Sequence, residues 1–234
     1  MCVATIVASS IFVVLNDQNR RSETDNFRLF KIDHAFKDYS QYYFIKGALN
    51  TTMGKFYFVR HGQTVWNVEN KICGATDSPL TELGHEQARE TGRILKLKMD
   101  AGEITIDEIL TSPLSRAYDT AKEISVMTGV PMRIEQRLIE QNFGKWEGTA
   151  RDGKEFARAK QNFCDSFDGG ESMMRMAQRI YNLIDDLKRD PEKTYLLVAH
   201  NGISRIIESY FHDMTNEEFA SFGIRNAQVR EYDF

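Results

Sequence analysis

Cysteine is scarce in this chain. Cys2, Cys73 and Cys164 are odd in number, widely spaced and without a C-x-x-C or Cys/His ligand pattern, which argues against a disulfide framework and against a zinc site. The reducing cytoplasm is the expected compartment. Basic residues are not in excess either: the net charge of −4 gives no electrostatic footprint for nucleic acid, so any phosphate must be bound by local arginines. Long apolar runs are missing as well. The nearest approach, Cys2 to Leu15, is too short to span a membrane. Its neighbouring arginines, Arg20 and Arg21, lie downstream, not in the basic leading region a signal peptide requires.

Turn punctuation is absent from one part of the chain. Residues 1–52 hold a single glycine, Gly47, and no proline, whereas the remainder holds the other fourteen glycines and all four prolines. The aromatics Phe27, Phe30, Phe36, Tyr39, Tyr42, Tyr43 and Phe44 follow no clean period. We expect 1–52 to be a non-catalytic extension, partly helical around 27–45. Met53 stands three residues before the first convincing strand, so the functional domain is expected to span 53–234. At 234 residues, 41% hydrophobic and 27% charged, the chain has the composition of an ordinary globular protein with enough length for a real core.

From residue 55 strand and helix signals alternate, the pattern of a largely parallel α/β sheet. The apolar run Phe56-Tyr57-Phe58-Val59 predicts a buried strand that stops at Arg60-His61-Gly62. A polar loop to Pro79 follows, then a helix from about Thr81 to Lys98 with Leu83, Ala88, Ile94 and Leu95 inward. Glu108–Thr111 predicts a second strand. Ser112 as N-cap and Pro113 at the first helical position start the next helix, with Ala117, Ala121 and Ile124 inward, and Gly129 closes it. Met132–Ile139 predicts a short β segment ending at Glu140. Residues 151–168 are expected to form a small helical lid. A helix then runs to Lys188 with Met173, Ala177, Ile180, Ile184 and Leu187 inward. Tyr195–Ala199 predicts a strand ending at His200-Asn201-Gly202, a helix covers Ile203 to Phe211, and Val229–Phe234 predicts an edge strand.

Parallel strands ending at Arg60, Thr111 and His200 would place Arg60, His61, His200 and Arg116 on one sheet edge, where open α/β sheets bind ligands. Guanidinium groups fork onto phosphate oxygens, and one neutral imidazole can attack phosphorus. The other, protonated, can donate to the transferring oxygens. Glu140 is the candidate to protonate the leaving alkoxide and then deprotonate water. The sequence contains no Walker-type phosphate loop and no acidic metal cluster, so cationic side chains are expected to replace a metal. Taken singly, each of these residues is more ordinarily a capped or core histidine, a surface arginine or a solvated carboxylate. Their combination carries the expectation. His34, His85 and His212 lack such settings and are expected to be structural or exposed.

Arg60-His61-Gly62-Gln63-Thr64 with Trp66-Asn67, Gly74, Asp77, Pro79-Leu80-Thr81 and Gly84 resembles the opening of the histidine phosphatase (phosphoglycerate mutase-like) superfamily. Ser112 to Ala117, Glu140 with Phe143-Gly144 and Trp146-Glu147-Gly148, Gly169 to Ser172, and Val198 to Gly202 continue the match in order, over nearly all of 55–230. The resemblance implies a three-layer α/β/α sandwich, mostly parallel with an antiparallel edge strand. It implies His61 as phosphorylated nucleophile, its other ring nitrogen held by a carbonyl near Gly62. Glu140 would be proton donor, and Arg60, Arg116 and His200 the phosphate pocket. Asn67 enters only through the resemblance. Gly74, Lys145, Trp146, Asn201 and Gly202 are expected to complete the substrate surface.

Mutases of this family usually follow the acid with Arg, place Tyr two residues further on and carry a downstream Arg-Arg pair for the substrate carboxylate. Here Gln141 and Phe143 occupy the first two positions, no adjacent pair occurs between 149 and 175, and only Arg151 could substitute. The expected function is hydrolysis of a small phosphorylated metabolite without a cofactor. The alternatives are a 2,3-bisphosphoglycerate-dependent phosphoglycerate mutase and a non-catalytic phospholigand module. No nucleic acid or membrane partner is expected, and oligomeric state is left open, a dimer included.

Overall fold

The computed structural model describes residues 54–234 and, before them, only the backbone of three strands. These are β1 (Cys2–Val7), β2 (Ser10–Leu15) and β3 (Phe30–Lys31), antiparallel in that order. Phe30–Lys31 is extended where a helix over 27–45 is expected. The rest of that stretch lies outside the described residues, as does His34. The chain divides into two compact units, Met1–Thr51 and Thr52–Phe234.

The second unit is built on a five-stranded sheet. Its strands are β4 (Lys55–Arg60), β5 (Glu108–Thr111), β6 (Met132–Ile134), β7 (Tyr195–Ala199) and β8 (Val229–Asp233). The spatial order is β6-β5-β7-β4-β8, parallel throughout except for β8, which closes one edge antiparallel to β4. Successive side chains of a strand point to opposite faces, so the apolar run of β4 feeds two cores. Phe56 and Phe58 join Leu197 and Ala199 against α5 (Met173–Lys188) and α6 (Asn201–Phe211). Tyr57 and Val59 join Ile109, Leu196 and Val198 against α2 (Glu82–Asp100) and α3 (Ser115–Thr128). Each fully buried Phe or Leu contributes about 1.5–3 kcal/mol to folding. The result is the expected α/β/α sandwich.

The remaining helices are short: α1 (Val65–Val68), α4 (Lys154–Ala159) and α7 (Asn216–Ser221). The lid expected over 151–168 is thus helical only at α4. The β segment expected over Met132–Ile139 ends at Ile134. A 3-10 turn at Gln136–Leu138 follows, started by the Glu135 carboxylate accepting from Arg137 N–H.

Leu83 and Ile94 are exposed, contrary to expectation. The inward face of α2 is Gly84, Ala88, Thr91, Gly92 and Leu95. Small residues there let α3 approach until a Cβ on Gly92 would meet Met127 Cβ at 2.9 Å. Helix α3 starts at Ser115, later than the Ser112-Pro113 signal predicts; the Ser112 hydroxyl accepts from Leu114 N–H at 3.3 Å and also lies against His200. The Asp77 carboxylate instead accepts from Ser115 N–H at 2.8 Å, a favourable place for negative charge on a helix dipole. Among the described residues no helix is long and apolar enough to cross a membrane.

Candidate active site

Register brings the site together. Arg60 lies opposite Ala199 and Thr111 opposite Val198, so the residues just past three parallel strands meet at one edge. His61 follows β4, Ser112 follows β5 and His200 follows β7. His61 N–H donates to Ala199 O at 2.9 Å, and the His61 and His200 rings stand 5.2 Å apart.

His61 Nδ1 lies 2.7 Å from Gly62 O. A carbonyl only accepts, so the proton sits on Nδ1 and the lone pair on Nε2. Gly62 N–H in turn donates to Thr120 Oγ1 at 3.0 Å. The turn admits only glycine, since a Cβ on Gly62 would lie 2.4 Å from Gly84 O. Burial, reinforced by the cations of Arg116 and Arg60, holds His61 well below the usual imidazole range. The ring is therefore neutral at pH 7.

Arg116 is almost fully buried. Its Nη2 donates to Gly74 O at 2.6 Å, Nη1 to Thr76 O at 3.0 Å and Nε to His200 Nδ1 at 3.2 Å. His200 Nδ1 thus accepts, and Nε2 lies 2.8 Å from Ser112 Oγ. Burial, then Arg116 and His61, hold His200 well below the imidazole range. In the protein alone the second imidazole, expected to be protonated during transfer, is thus a neutral acceptor at Nδ1. Arg60 donates through Nη1 to Ile224 O at 2.7 Å, and burial, followed by repulsion from Arg151, lowers its pKa to about 10.

Glu140 is buried within the same group. Its Oε2 accepts from Gly202 N–H and its Oε1 from Gln141 N–H, each at 2.9 Å. A Cβ at Gly202 would lie 2.4 Å from Glu140 Oε1, so glycine is what lets the carboxylate reach the start of α6. Asn67 lies half-buried in α1, and its Oδ1 accepts from Thr64 N–H at 3.1 Å and from Asn226 Nδ2 at 3.3 Å. Its own amide N–H groups are left to donate. Among the described residues no His, Cys, Asp and Glu side chains group as metal ligands.

Other expected residues sit differently. Asn201 Oδ1 accepts from Ile224 N–H at 3.0 Å, so it anchors the 222–226 loop. Gly74 contributes its carbonyl to Arg116. Lys145 is exposed, with its ammonium 5.7 Å from the Trp146 ring, and Trp146 packs on Phe156. Neither bonds to the histidines, arginines or Glu140 of the site among the described residues. His85 pairs with Glu123 at 3.2 Å, and exposed His212 lies 3.8 Å from Glu208.

Sequence reasoning assigned no role to three residues that shape the site. Asn226 Nδ2 donates to His61 O at 2.9 Å. Ser112 touches His200, where its pairing with Pro113 signalled only a helix start. The Glu147 carboxylate accepts from the N–H groups of Phe143, Gly74, Ala75 and Thr76 at 2.8, 2.9, 3.1 and 3.3 Å. It thereby fixes the loop whose carbonyls grip Arg116.

Comparison with known proteins agrees with this architecture. The chain is 32% identical over 192 residues to a Hydrogenobacter thermophilus protein provisionally named phosphoserine phosphatase 2, covering 76% of this chain and 89% of that one. It is 31% identical over 167 residues to an Erwinia tasmaniensis protein provisionally named phosphoglycerate mutase GpmB, covering 65% and 71%. A solved mycobacterial glucosyl-3-phosphoglycerate phosphatase superposes with a TM-score of 0.65 at 27% identity, over 76% of this chain and 89% of that one. Residues 56–234 match the model of the histidine phosphatase superfamily (branch 1), and the chain belongs to that family.

Proposed function

We propose that the protein hydrolyses a small phosphomonoester through a phosphohistidine, without a metal. The observation that carries this reading is the Nδ1 contact of His61 with Gly62 O, which leaves a neutral, lone-pair-bearing Nε2 between two arginines and a second imidazole. Nε2 attacks phosphorus, the P–O bond to the alcohol breaks, and protonated Glu140 delivers its proton to the departing oxygen. Glu140 then takes a proton from water as that water attacks the phosphohistidine, and inorganic phosphate and free His61 result. Arg60, Arg116, Asn67 and His200 carry the charge on the transferring oxygens. The negative charge of a bound phosphate favours protonation of His200 from solvent at Nδ1, which turns that nitrogen from acceptor to donor and gives up its bond from Arg116 Nε.

Hydrolysis is favoured over mutase transfer by what stands beside Glu140. Gln141 is buried and its amide donates to Glu171 O at 2.9 Å, so it offers no grip for a substrate carboxylate. Phe143 packs on Phe156 and Phe167. The test is acid-labile ³²P labelling during turnover of p-nitrophenyl phosphate. Label is expected on the unaltered protein and absent in His61→Ala. Efficient isomerisation dependent on 2,3-bisphosphoglycerate would overturn the hydrolase reading in favour of a mutase.

A further inference from the structure

An open cleft of about 440 Å³ adjoins the phosphate pocket, lined by Arg60, Arg205, Arg225, Asn201 and Asn226 with residues 221–224. No carboxylate lines it. Several arginines elsewhere find carboxylates: among the described residues Arg89, Arg133, Arg137, Arg179 and Arg230 form ion pairs, while exposed Arg151, Arg158 and Arg175 do not. Arg60, Arg205 and Arg225 form none among the described residues. The loop above the cleft instead fixes two guanidinium groups through carbonyls, Arg205 Nε on Phe222 O at 2.6 Å and Arg60 Nη1 on Ile224 O at 2.7 Å. Arg60 Nε is buried with no hydrogen-bond partner. Grouping half-buried guanidinium groups around a cleft that no carboxylate lines is costly, and the Glu140 carboxylate, held by Gly202 and Gln141, offsets only part of the repulsion between Arg60 and Arg205.

Position tells which part of a substrate would meet them. Arg205 lies one helical turn beyond Gly202, whose N–H holds Glu140 at 2.9 Å. Glu140 serves the leaving oxygen in the reading above, so Arg205 stands on the side of the alcohol and not of the phosphoryl group. Arg151 and Lys160 add positive charge within reach: Arg151 lowers the pKa of Arg60, Arg205 and Lys160, and Arg205 lowers that of Lys160.

We infer that this cleft is a second anion subsite, with Arg205 as its principal cation, and that the natural substrate is a phosphomonoester whose alcohol part bears a further acidic group. The substrate class rests on the hydrolase reading, whereas the subsite itself does not need turnover.

Binding can therefore be measured by calorimetry in a His61→Ala background. 3-Phosphoglycerate is compared with glycerol 3-phosphate, which lacks the carboxylate, and fructose 1,6-bisphosphate with fructose 6-phosphate, which lacks the second phosphate. At least one pair is expected to show about tenfold tighter binding of the doubly acidic ligand, and the pair that does identifies the acid. Adding Arg205→Gln is expected to abolish the preference and leave the ligand that lacks the second acid within about twofold, while Arg205→Lys, which keeps the charge, retains part of it. Equal affinities within both pairs, or a preference that survives Arg205→Gln, would overturn the proposal. Should Arg205→Gln unfold the protein, exposed Arg151→Gln must cut the preference about threefold, and an unchanged preference refutes the subsite. Phosphate release from p-nitrophenyl phosphate by the unaltered protein tests the hydrolase reading separately.

Discussion

His61 and His200 sit out of water beside cations, and each is held well below the usual imidazole range, first by burial and then by Arg116. Their neutrality has a thermodynamic consequence. Above about pH 6.5 both rings are neutral folded or unfolded, and they add no pH dependence. As pH falls below that value the unfolded chain takes up protons that the folded protein refuses, so stability is lost on the acid side. The slope amounts to about 1.4 kcal/mol per pH unit for each imidazole while the folded ring stays neutral. Urea midpoints measured from pH 7.5 to 5.0 check this. His61→Gln is expected to lose less stability across that range than the unaltered protein, the difference between the two approaching the one-imidazole slope. Parallel curves would show that His61 is not held neutral by the fold.

Two loops and one helix cooperate around Glu147. Its carboxylate gathers four backbone N–H groups, three of them from residues 74–76, and the carbonyls of Gly74 and Thr76 then fix the two terminal nitrogens of the Arg116 guanidinium. Glycine is required at 74 because a Cβ there would lie 2.1 Å from Gln141 O and 2.2 Å from Glu147 Oε1. Glu147→Gln keeps the shape but replaces one acceptor oxygen by a donor facing N–H groups. A buried unsatisfied group costs about 1–3 kcal/mol. We expect a stability loss of that size in urea titrations, and a fall of about tenfold or more in kcat/KM for p-nitrophenyl phosphate as Arg116 loses its seat. Unchanged kinetics in a folded variant would show that Arg116 is positioned without it. This arrangement marks where the sequence stops being legible. The strands were readable because β4 and β7 are unbroken apolar runs ending in His-containing turns, and parallel pairing of those runs fixes which residues meet. Glu147 was visible only as part of a Trp-Glu-Gly turn, since its partners at 74–76 lie more than seventy positions away. Leu83 and Ile94 were misplaced because α2 packs through glycines and a threonine, which hydrophobic periodicity does not weigh. Asn226 had no signal: an asparagine before an edge strand is ordinary turn chemistry.

At the scale of the molecule, among the described residues both cores of the unit from Thr52 to Phe234 are built from side chains between Phe56 and Phe234. Its ends are tied to each other: Phe234 N–H donates to Gly54 O at 2.9 Å, and β8 pairs along β4 from Lys55 to Val59. Phe56 stacks on Tyr232 with ring centroids 5.3 Å apart, which anchors the last strand to the first of this sheet. Every residue assigned to the phosphate site or to the anion cleft lies within 60–226. A unit with a two-faced core and with all the assigned site residues on its own elements has the means to fold and act alone. Residues 53–234, expressed without 1–52, are therefore expected to unfold in one cooperative transition. The midpoint should fall within about 2 °C of the full chain, the shift that a few tenths of a kcal/mol produces in a domain of this size. Phosphate release from p-nitrophenyl phosphate should stay within about twofold. Thermal melts and initial rates on the two proteins side by side decide the matter: loss of the cooperative transition, or of activity in a folded fragment, would make residues 1–52 part of the catalytic unit.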